Sequence, residues 1–166
     1  MKGMIYRIIT ACLLAGWMLI IFLFSHQPAN TSSQISGGFC TEMMTTINEK
    51  MNLELSEDRI NSIAEQMEYP VRKMAHMAEY AVLGVFAFFF FCGYENILWK
   101  DAKKKKEYGL AFLLAVFYAA TDELHQLFVT GRAGRISDVF IDATGAAIGL
   151  LIILLFCTIL TRKRAK

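Results

Sequence analysis

The chain has 166 residues, of which 55% are hydrophobic and 13% are aromatic, and its formal net charge is only +2. Both the apolar content and the mean hydropathy of +0.41 exceed those of an ordinary soluble domain. The basic residues are divided between the chain ends and the loops, which argues against a nucleic-acid partner. The length predicts a single domain over residues 1–166.

The apolar residues lie in runs, and a helix needs about 20 mainly apolar residues to cross a bilayer. Four runs have this length, so the sequence predicts an all-α fold, an integral membrane four-helix bundle. The predicted spans cover residues 4–24, 73–94, 108–129 and 139–160. The first is interpreted as an uncleaved anchor, because its apolar region is longer than that of a signal peptide and no A-x-A site follows it.

A polar and then amphipathic stretch separates the first two predicted spans. "SHQPANTSSQISGG" consists of turn and linker residues, after which apolar residues recur every four positions from Phe39 and Met43. Ser56 is a predicted N-cap for a second helix. The stretch therefore predicts an outer amphipathic helical segment over residues 38–69, either a hairpin on the membrane surface or a lid over a site. Pro70 is expected to begin the second span, where its missing N–H does no harm.

The distribution of lysine and arginine predicts the orientation of the spans. With the N-terminus inside, 11 of the 17 basic residues lie on the cytoplasmic side, including "KDAKKKK" and "TRKRAK". Positively charged loops stay in the cytoplasm, so both termini are predicted to be inside. The six basic residues on the outer side are Lys50, Arg59, Arg72, Lys73, Arg132 and Arg135.

With this topology, three spans bring their polar side chains to the same outer leaflet. These side chains are His76, Glu79, Tyr80, Asp122, Glu123, His125, Gln126, Asp138 and Asp142. Within each span they recur at i, i+3 or i, i+4, so most share a helix face. Gly145 and Gly149 continue the last stripe as a G-x-x-x-G pair, which lets helices approach closely. The three polar stripes are therefore expected to face one another.

The energetic cost of these groups argues that they have a function. A charged side chain at mid-bilayer costs roughly 2.5–3.5 kcal/mol, so four carboxylates cost on the order of 5–10 kcal/mol before compensation. Ion pairing, protonation, water or a bound ion must offset that cost. The expected cationic partners are Arg72, Lys73, Arg132 and Arg135. The sequence predicts an outward-facing polar site, and the alternative is a buried ion-pair network that only stabilises helix packing.

The stretches "SHQPANTSSQIS", "VRKMAHMAEYAVLG", "YAATDELHQLFVTGRAGRISDV" and "DATGAAIG" resemble the VanZ family of bacterial membrane proteins. This resemblance implies a multi-pass protein of the cytoplasmic membrane with an envelope role. In some members it implies glycopeptide resistance of the teicoplanin type. The family often has Asn where this chain has Asp142, which adds an ionisable group here. The matching residues are Lys73, His76, Glu79, Tyr80, Asp122, Glu123, Gln126, Arg132, Asp138 and Gly145.

One functional hypothesis is an enzyme that acts on a membrane lipid or a lipid-linked cell-wall precursor. His76 would be the general base or nucleophile, assisted by carboxylates. The candidate catalytic residues are His76, Glu79, Asp122 and Glu123. The candidate substrate-binding residues are Arg72, Lys73, Tyr80, Gln126, Arg132, Arg135, Asp138 and Asp142. A divalent metal ion is an open alternative, with Glu79, Asp122, Glu123 and Asp142 as candidate ligands.

Two further hypotheses involve no catalysis. A binder would hold an anionic lipid head group in the basic pocket between the spans. A scaffold would use the polar cluster to partner another membrane protein or a second copy of the chain. No H-E-x-x-H zinc pair and no G-x-S-x-G nucleophile elbow is present in the sequence, so the choice among these functions stays open.

Overall fold

The computed structural model describes residues 1–94 and 105–164, and these residues form five α-helices and no strand. The all-α prediction is confirmed. Residues 100–104, which contribute most of the basic cluster used to predict the orientation, lie outside the described residues, as do residues 165–166. The helices are α1 (Lys2–Ser25), α2 (Ala29–Met51), α3 (Glu57–Cys92), α4 (Lys105–Gln126) and α5 (Ile136–Arg164).

Three of the described helices are long and apolar enough to cross a membrane. They are α1, α3 and the part of α5 that ends at Ile159. The helix at the third predicted span, α4, is not among them, since polar residues occupy both its first turn and its last two turns. The predicted count of four spans is therefore not confirmed by length and composition.

The break expected at Pro70 is absent, because α3 runs without interruption from the outer segment into the second predicted span. Pro70 lies inside the helix and has no N–H to donate to the carbonyl of Gln66. Both residues are exposed, so water can satisfy that carbonyl. The predicted N-cap at Ser56 is confirmed, since its side chain accepts a hydrogen bond from the backbone N–H of Arg59 at 3.4 Å.

Helix α2 begins at Ala29, so most of the segment expected to be a linker is helical. The backbone N–H of Ala29 donates to the carbonyl of Thr130 at 3.2 Å, which connects the start of α2 to the α4–α5 loop. The buried residues of α2 are Cys40 and Met44. The predicted apolar stripe, which began at Phe39, lies one position away, and Phe39 is 57% exposed.

The contact between α3 and α5 has backbone packed directly on backbone. A Cβ added at Gly145 would overlap the carbonyl oxygen of Met77, and one at Gly149 would overlap that of Ala81. The close approach predicted from the G-x-x-x-G pair is thus confirmed. Because Asp142 lies one turn before Gly145, the same packing holds that carboxylate against α3.

Two side-chain hydrogen bonds attach α1 to α3 and to α4. The indole Nε1 of Trp17 donates to the carbonyl of Glu79 at 2.9 Å, and the hydroxyl of Tyr118 donates to the carbonyl of Met18 at 2.6 Å. The bundle therefore has α3 at its centre, with α1, α4 and α5 around it. The polar halves of these helices meet at one end, where α1 and α4 terminate and α2 and α5 begin.

The α3–α5 contact predicts that Gly149→Ala lowers the free energy of unfolding by roughly 1–3 kcal/mol, since overpacking forces the two helices apart. Gly16→Ala in α1 is the matched control, because no heavy atom lies within 4 Å of a Cβ added there. Thermal unfolding in detergent measures both variants. Equal unfolding temperatures for the two variants would contradict the packing described here.

Candidate functional site

A cavity of about 270 Å³ lies where the polar halves of the helices meet, and we call it the polar cavity. Its walls come from the start of α2, from α3, the end of α4, the α4–α5 loop and the start of α5. The lining residues are Ala29, Tyr69, Arg72, Lys73, His76, Glu123, Gln126, Gly131, Arg132, Ala133, Arg135, Asp138, Ile141 and Asp142.

All but three of the residues predicted to form the site line this cavity. The exceptions are Glu79, Tyr80 and Asp122. Tyr80 is fully buried in the core, and Asp122 is 4% exposed. Glu79 lies behind His76, with its Oε2 atom 3.9 Å from the Nδ1 atom of that ring. The structure thus brings most of the predicted residues together and places these three next to the cavity walls.

An ion pair between α3 and α5 crosses the cavity wall. The Nζ atom of Lys73 lies 2.5 Å from the Oδ2 atom of Asp138, and their side chains are 20% and 12% exposed. Each charge therefore replaces much of the other's lost hydration. Lys73 is one of the four expected cationic partners, but its carboxylate in the structure is Asp138, which precedes the predicted fourth span.

The two acidic residues of α4 are stabilised by neutral donors. The Nε2 atom of Gln126 donates to Asp122 at 3.1 Å and to Glu123 at 3.2 Å. The second carboxylate oxygen of Glu123 accepts from the backbone N–H of Arg135 at 2.8 Å. Hydrogen bonds of this kind favour the ionised form of a carboxyl group. The amide of Gln126 and the backbone N–H of Arg135 therefore stabilise these two carboxylates, a role that was expected of arginine side chains.

Arg132 is held by backbone carbonyls. Its Nε atom donates to the carbonyl of Gln27 at 2.9 Å, and its Nη2 atom donates to that of Phe24 at 3.3 Å. These carbonyls lie at the C-terminal end of α1, where a cation is favoured by the helix dipole. Burial, reinforced by the charge of Arg72, lowers the pKa of Arg132 below its ordinary value, but a guanidinium stays protonated at neutral pH.

The other two arginines of the cavity differ in their surroundings. Arg72 pairs with Glu68 at 3.2 Å and donates to the hydroxyl of Ser33 at 3.1 Å. Arg135 is exposed, and its guanidinium has no ion-pair partner among residues 1–94 and 105–164. The charge of Arg135 is therefore free to act on a ligand.

Asp142 is the most enclosed acidic residue of the site. It is 1% exposed, and its Oδ2 atom has no hydrogen-bond partner within the described part of the chain. The hydroxyl of Tyr80 is also buried without a partner there. An unpaired buried polar group costs roughly 1–3 kcal/mol. Both groups are therefore in environments that a hydrogen-bonding ligand or water would stabilise.

Tyr69 is a lining residue that the sequence reasoning missed. Its ring centroid lies 5.4 Å from the Nζ atom of Lys73 and 5.9 Å from the Cζ atom of Arg72, within range of a cation–π interaction. Helical spacing from Tyr69 to these two residues is i, i+3 and i, i+4. That signal was hidden because a helix boundary was expected at Pro70.

His125 lies outside the polar cavity, although it shares the predicted stripe of Asp122. Its Nε2 atom lies 3.1 Å from the Nδ1 atom of His26, and Phe22 packs against both rings. The pair joins the end of α1 to the end of α4. His76 is thus the histidine that reaches the cavity.

Of the candidate metal ligands Glu79, Asp122, Glu123 and Asp142, only Glu123 and Asp142 line the cavity. Among the residues that the structure describes, no group of three or more His, Cys, Asp or Glu side chains could hold a metal ion. Asp122 and Glu123 instead share the amide of Gln126.

An all-helical chain with three helices able to cross a membrane, and with a charged cavity between its helices, indicates a membrane protein. The family model VanZ/LLP1 matches residues 10–157, which include every residue that lines the polar cavity. The chain belongs to the VanZ-like family, as the sequence motifs predict. No curated protein and no solved structure matches it.

The ion pair predicts that Lys73→Met lowers the free energy of unfolding by roughly 1–3 kcal/mol, because it leaves a largely buried carboxylate without its cation. In the double variant with Asp138→Leu, much of this loss should be recovered. Denaturant unfolding in detergent measures both, with the exposed Lys50→Met as the matched control. Strictly additive losses in the double variant would contradict a direct interaction between Lys73 and Asp138.

Proposed function

We propose that this VanZ-family protein acts in the bacterial cell envelope and contributes to glycopeptide resistance of the teicoplanin type. Its molecular role is to bind the phosphate-bearing head group of a membrane lipid or of a lipid-linked cell-wall precursor. The observation that carries the proposal is the convergence of four cationic side chains on one cavity, namely Arg72, Lys73, Arg132 and Arg135.

The arginines differ from the lysine in their availability. Lys73 is occupied by Asp138, whereas no carboxylate of the described residues lies within ion-pair distance of Arg132 or Arg135. A guanidinium is planar and donates paired hydrogen bonds that match the oxygens of a phosphate. These two arginines are therefore the phosphate-binding groups in the proposal.

The membrane topology belongs to the same proposal. We place four spans in the cytoplasmic membrane, with α4 as the third in chain order, both termini inside and the polar cavity at the outer leaflet. The contact of Phe88 on α3 with Tyr108 on α4 supports this arrangement, because it lies far along the bundle from the cavity. Helix α4 must therefore run the length of the bundle back to the cavity, where α5 begins. An exposed apolar face along α4, with Leu113, Phe117 and Leu124 more than half exposed, suits contact with lipid.

Binding is the function that the geometry supports best. His76 lies on the cavity wall, but its Nδ1 atom is 3.9 Å from Glu79, which is longer than a hydrogen bond. The base and the carboxylate that would orient it are not engaged. Product analysis after incubation of the purified protein with polyprenyl phosphate would reveal turnover if His76 acted as a general base or nucleophile.

Arg135→Gln should weaken the binding of polyprenyl phosphate about tenfold, since it removes a charge-assisted contact to the phosphate. Arg59→Gln is the matched control, because Arg59 is exposed in the first turn of α3 and does not line the cavity. Titration of the lipid against protein in nanodiscs gives both affinities. Equal affinity in the two variants would remove the support for this phosphate site.

The role in resistance is tested with the two histidines of this end of the bundle. His76→Ala should lower the increase in teicoplanin resistance that the wild-type protein confers on a susceptible host, because it removes a ring from the wall of the ligand cavity. His125→Ala should retain that increase, because His125 lies outside the cavity. The amount of membrane-inserted protein is measured for each variant. Full resistance with His76→Ala at normal protein levels would favour the scaffold function instead.

A further inference from the structure

Asp142 carries an unused hydrogen-bond acceptor in the wall of the polar cavity. It lines the cavity, it is 1% exposed, and its Oδ2 atom has no partner in the part of the chain that the structure describes. A buried acceptor without a donor is unfavourable. A ligand that brings a donor to this oxygen would therefore gain affinity from a group that the protein leaves unpaired.

The other carboxylates on the cavity wall have partners. Asp138 is paired with Lys73. The oxygens of Glu123 accept from Gln126 and from the backbone N–H of Arg135. Among the described lining residues, Asp142 is therefore the carboxylate with an oxygen left for a ligand.

Cationic groups are also left unmatched in the same cavity. Arg135 is exposed and Arg132 donates only to backbone carbonyls among the described residues. Neither lies within ion-pair distance of Asp142 or of any other described carboxylate. The two guanidinium groups and the unpaired oxygen of Asp142 therefore do not contact each other. A ligand that contacts both must carry an anionic group for the arginines and a hydrogen-bond donor for Asp142.

We infer that the ligand is a zwitterionic head group of the phosphoethanolamine type, with a phosphate and a primary ammonium. This inference rests on the proposed phosphate recognition and adds a second contact to it. The phosphate is bound by Arg132 and Arg135, and the ammonium donates a hydrogen bond to Asp142.

The surroundings of Asp142 favour an ammonium over a neutral hydroxyl as the donor. Asp122, Glu123 and Asp138 all lie within electrostatic range of Asp142, and Lys73 is the cation that opposes them. A positively charged donor is attracted by these carboxylates, whereas a hydroxyl gains little from them. An incoming ammonium also favours the ionised form of Asp142, and a hydrogen bond between two charged groups is the stronger of the two.

The volume of the cavity suits the head group of a lipid. About 270 Å³ is slightly less than the roughly 300–1,000 Å³ of pockets that enclose a drug-sized molecule. Phosphate and a two-carbon amine need little space, while a lipid-linked saccharide would not be enclosed. Because Asp142 is so buried, we expect neighbouring side chains to move slightly when the ammonium arrives.

The test uses three short-chain lipids that share a phosphate and differ in the donor: dihexanoyl phosphatidylethanolamine, phosphatidylcholine and phosphatidic acid. Phosphatidylcholine is the sharpest comparison, because its quaternary ammonium has the same charge but no N–H. The wild-type protein should bind phosphatidylethanolamine about tenfold more tightly than either of the others. Calorimetric titration of the full chain in detergent measures the three affinities.

Asp142→Asn should remove this preference while leaving the affinity for phosphatidic acid unchanged or higher. Asp58→Asn, at an exposed position in the first turn of α3, is the matched control and should keep it. Arg135→Gln should lower the affinity for all three lipids by a similar factor. Circular dichroism checks that each variant is folded. If Asp142→Asn does not fold, the three affinities of the wild-type protein still test whether an ammonium with an N–H is preferred.

The outcomes separate this inference from the proposed function. Equal binding of the three lipids by the wild-type protein, with a loss in Arg135→Gln, would overturn the ammonium contact and leave phosphate recognition standing. A preference for phosphatidylethanolamine that survives Asp142→Asn would overturn the role of Asp142. If Arg135→Gln binds every lipid as tightly as the wild-type protein, both proposals fail.

Discussion

Gly145 and Gly149 allow the backbone of α5 to lie against the carbonyls of Met77 and Ala81 on α3, and the geometry of the site depends on this contact. Any larger side chain would separate the helices, since a Cβ already overlaps the facing carbonyl oxygens. The approach holds Asp138 within reach of Lys73 and closes the wall behind Asp142. Small residues at a helix interface thus create the conditions for a polar cavity between the helices.

Within that cavity the charges are compensated unevenly. Asp138 pairs with Lys73. The two carboxylates of α4 accept hydrogen bonds from the amide of Gln126, and Glu123 also accepts one from the backbone N–H of Arg135. Arg132 is directed to the carbonyls at the end of α1, where it stabilises the helix terminus. Because the arginines are not used up by the carboxylates, positive charge remains available for an anionic ligand. The same arrangement leaves an oxygen of Asp142 unpaired.

Where sequence reasoning failed, the surroundings of a residue in the fold overruled a local rule. Proline usually marks a helix boundary, yet α3 continues through Pro70, where Gln66 and Pro70 are both exposed and water can replace the missing hydrogen bond. The face of α2 that packs on the protein contains Cys40 and Met44. It differs from the predicted face by one position, since the rotation of a weakly amphipathic helix depends on its neighbours. The continuous α3 also explains why Tyr69 was overlooked.

The sequence by itself determined the all-helical fold, the family and the set of polar residues on each helix face, because these follow from apolar runs, motifs and the 3.6-residue period. It also predicted the close contact at Gly145 and Gly149. Only the tertiary structure decided which donor each carboxylate meets, that His125 pairs with His26 outside the cavity, and that Asp142 keeps a free acceptor. The reason is physical: spacing along one helix sets which side chains share a face, whereas a hydrogen bond between helices depends on their rotation and separation.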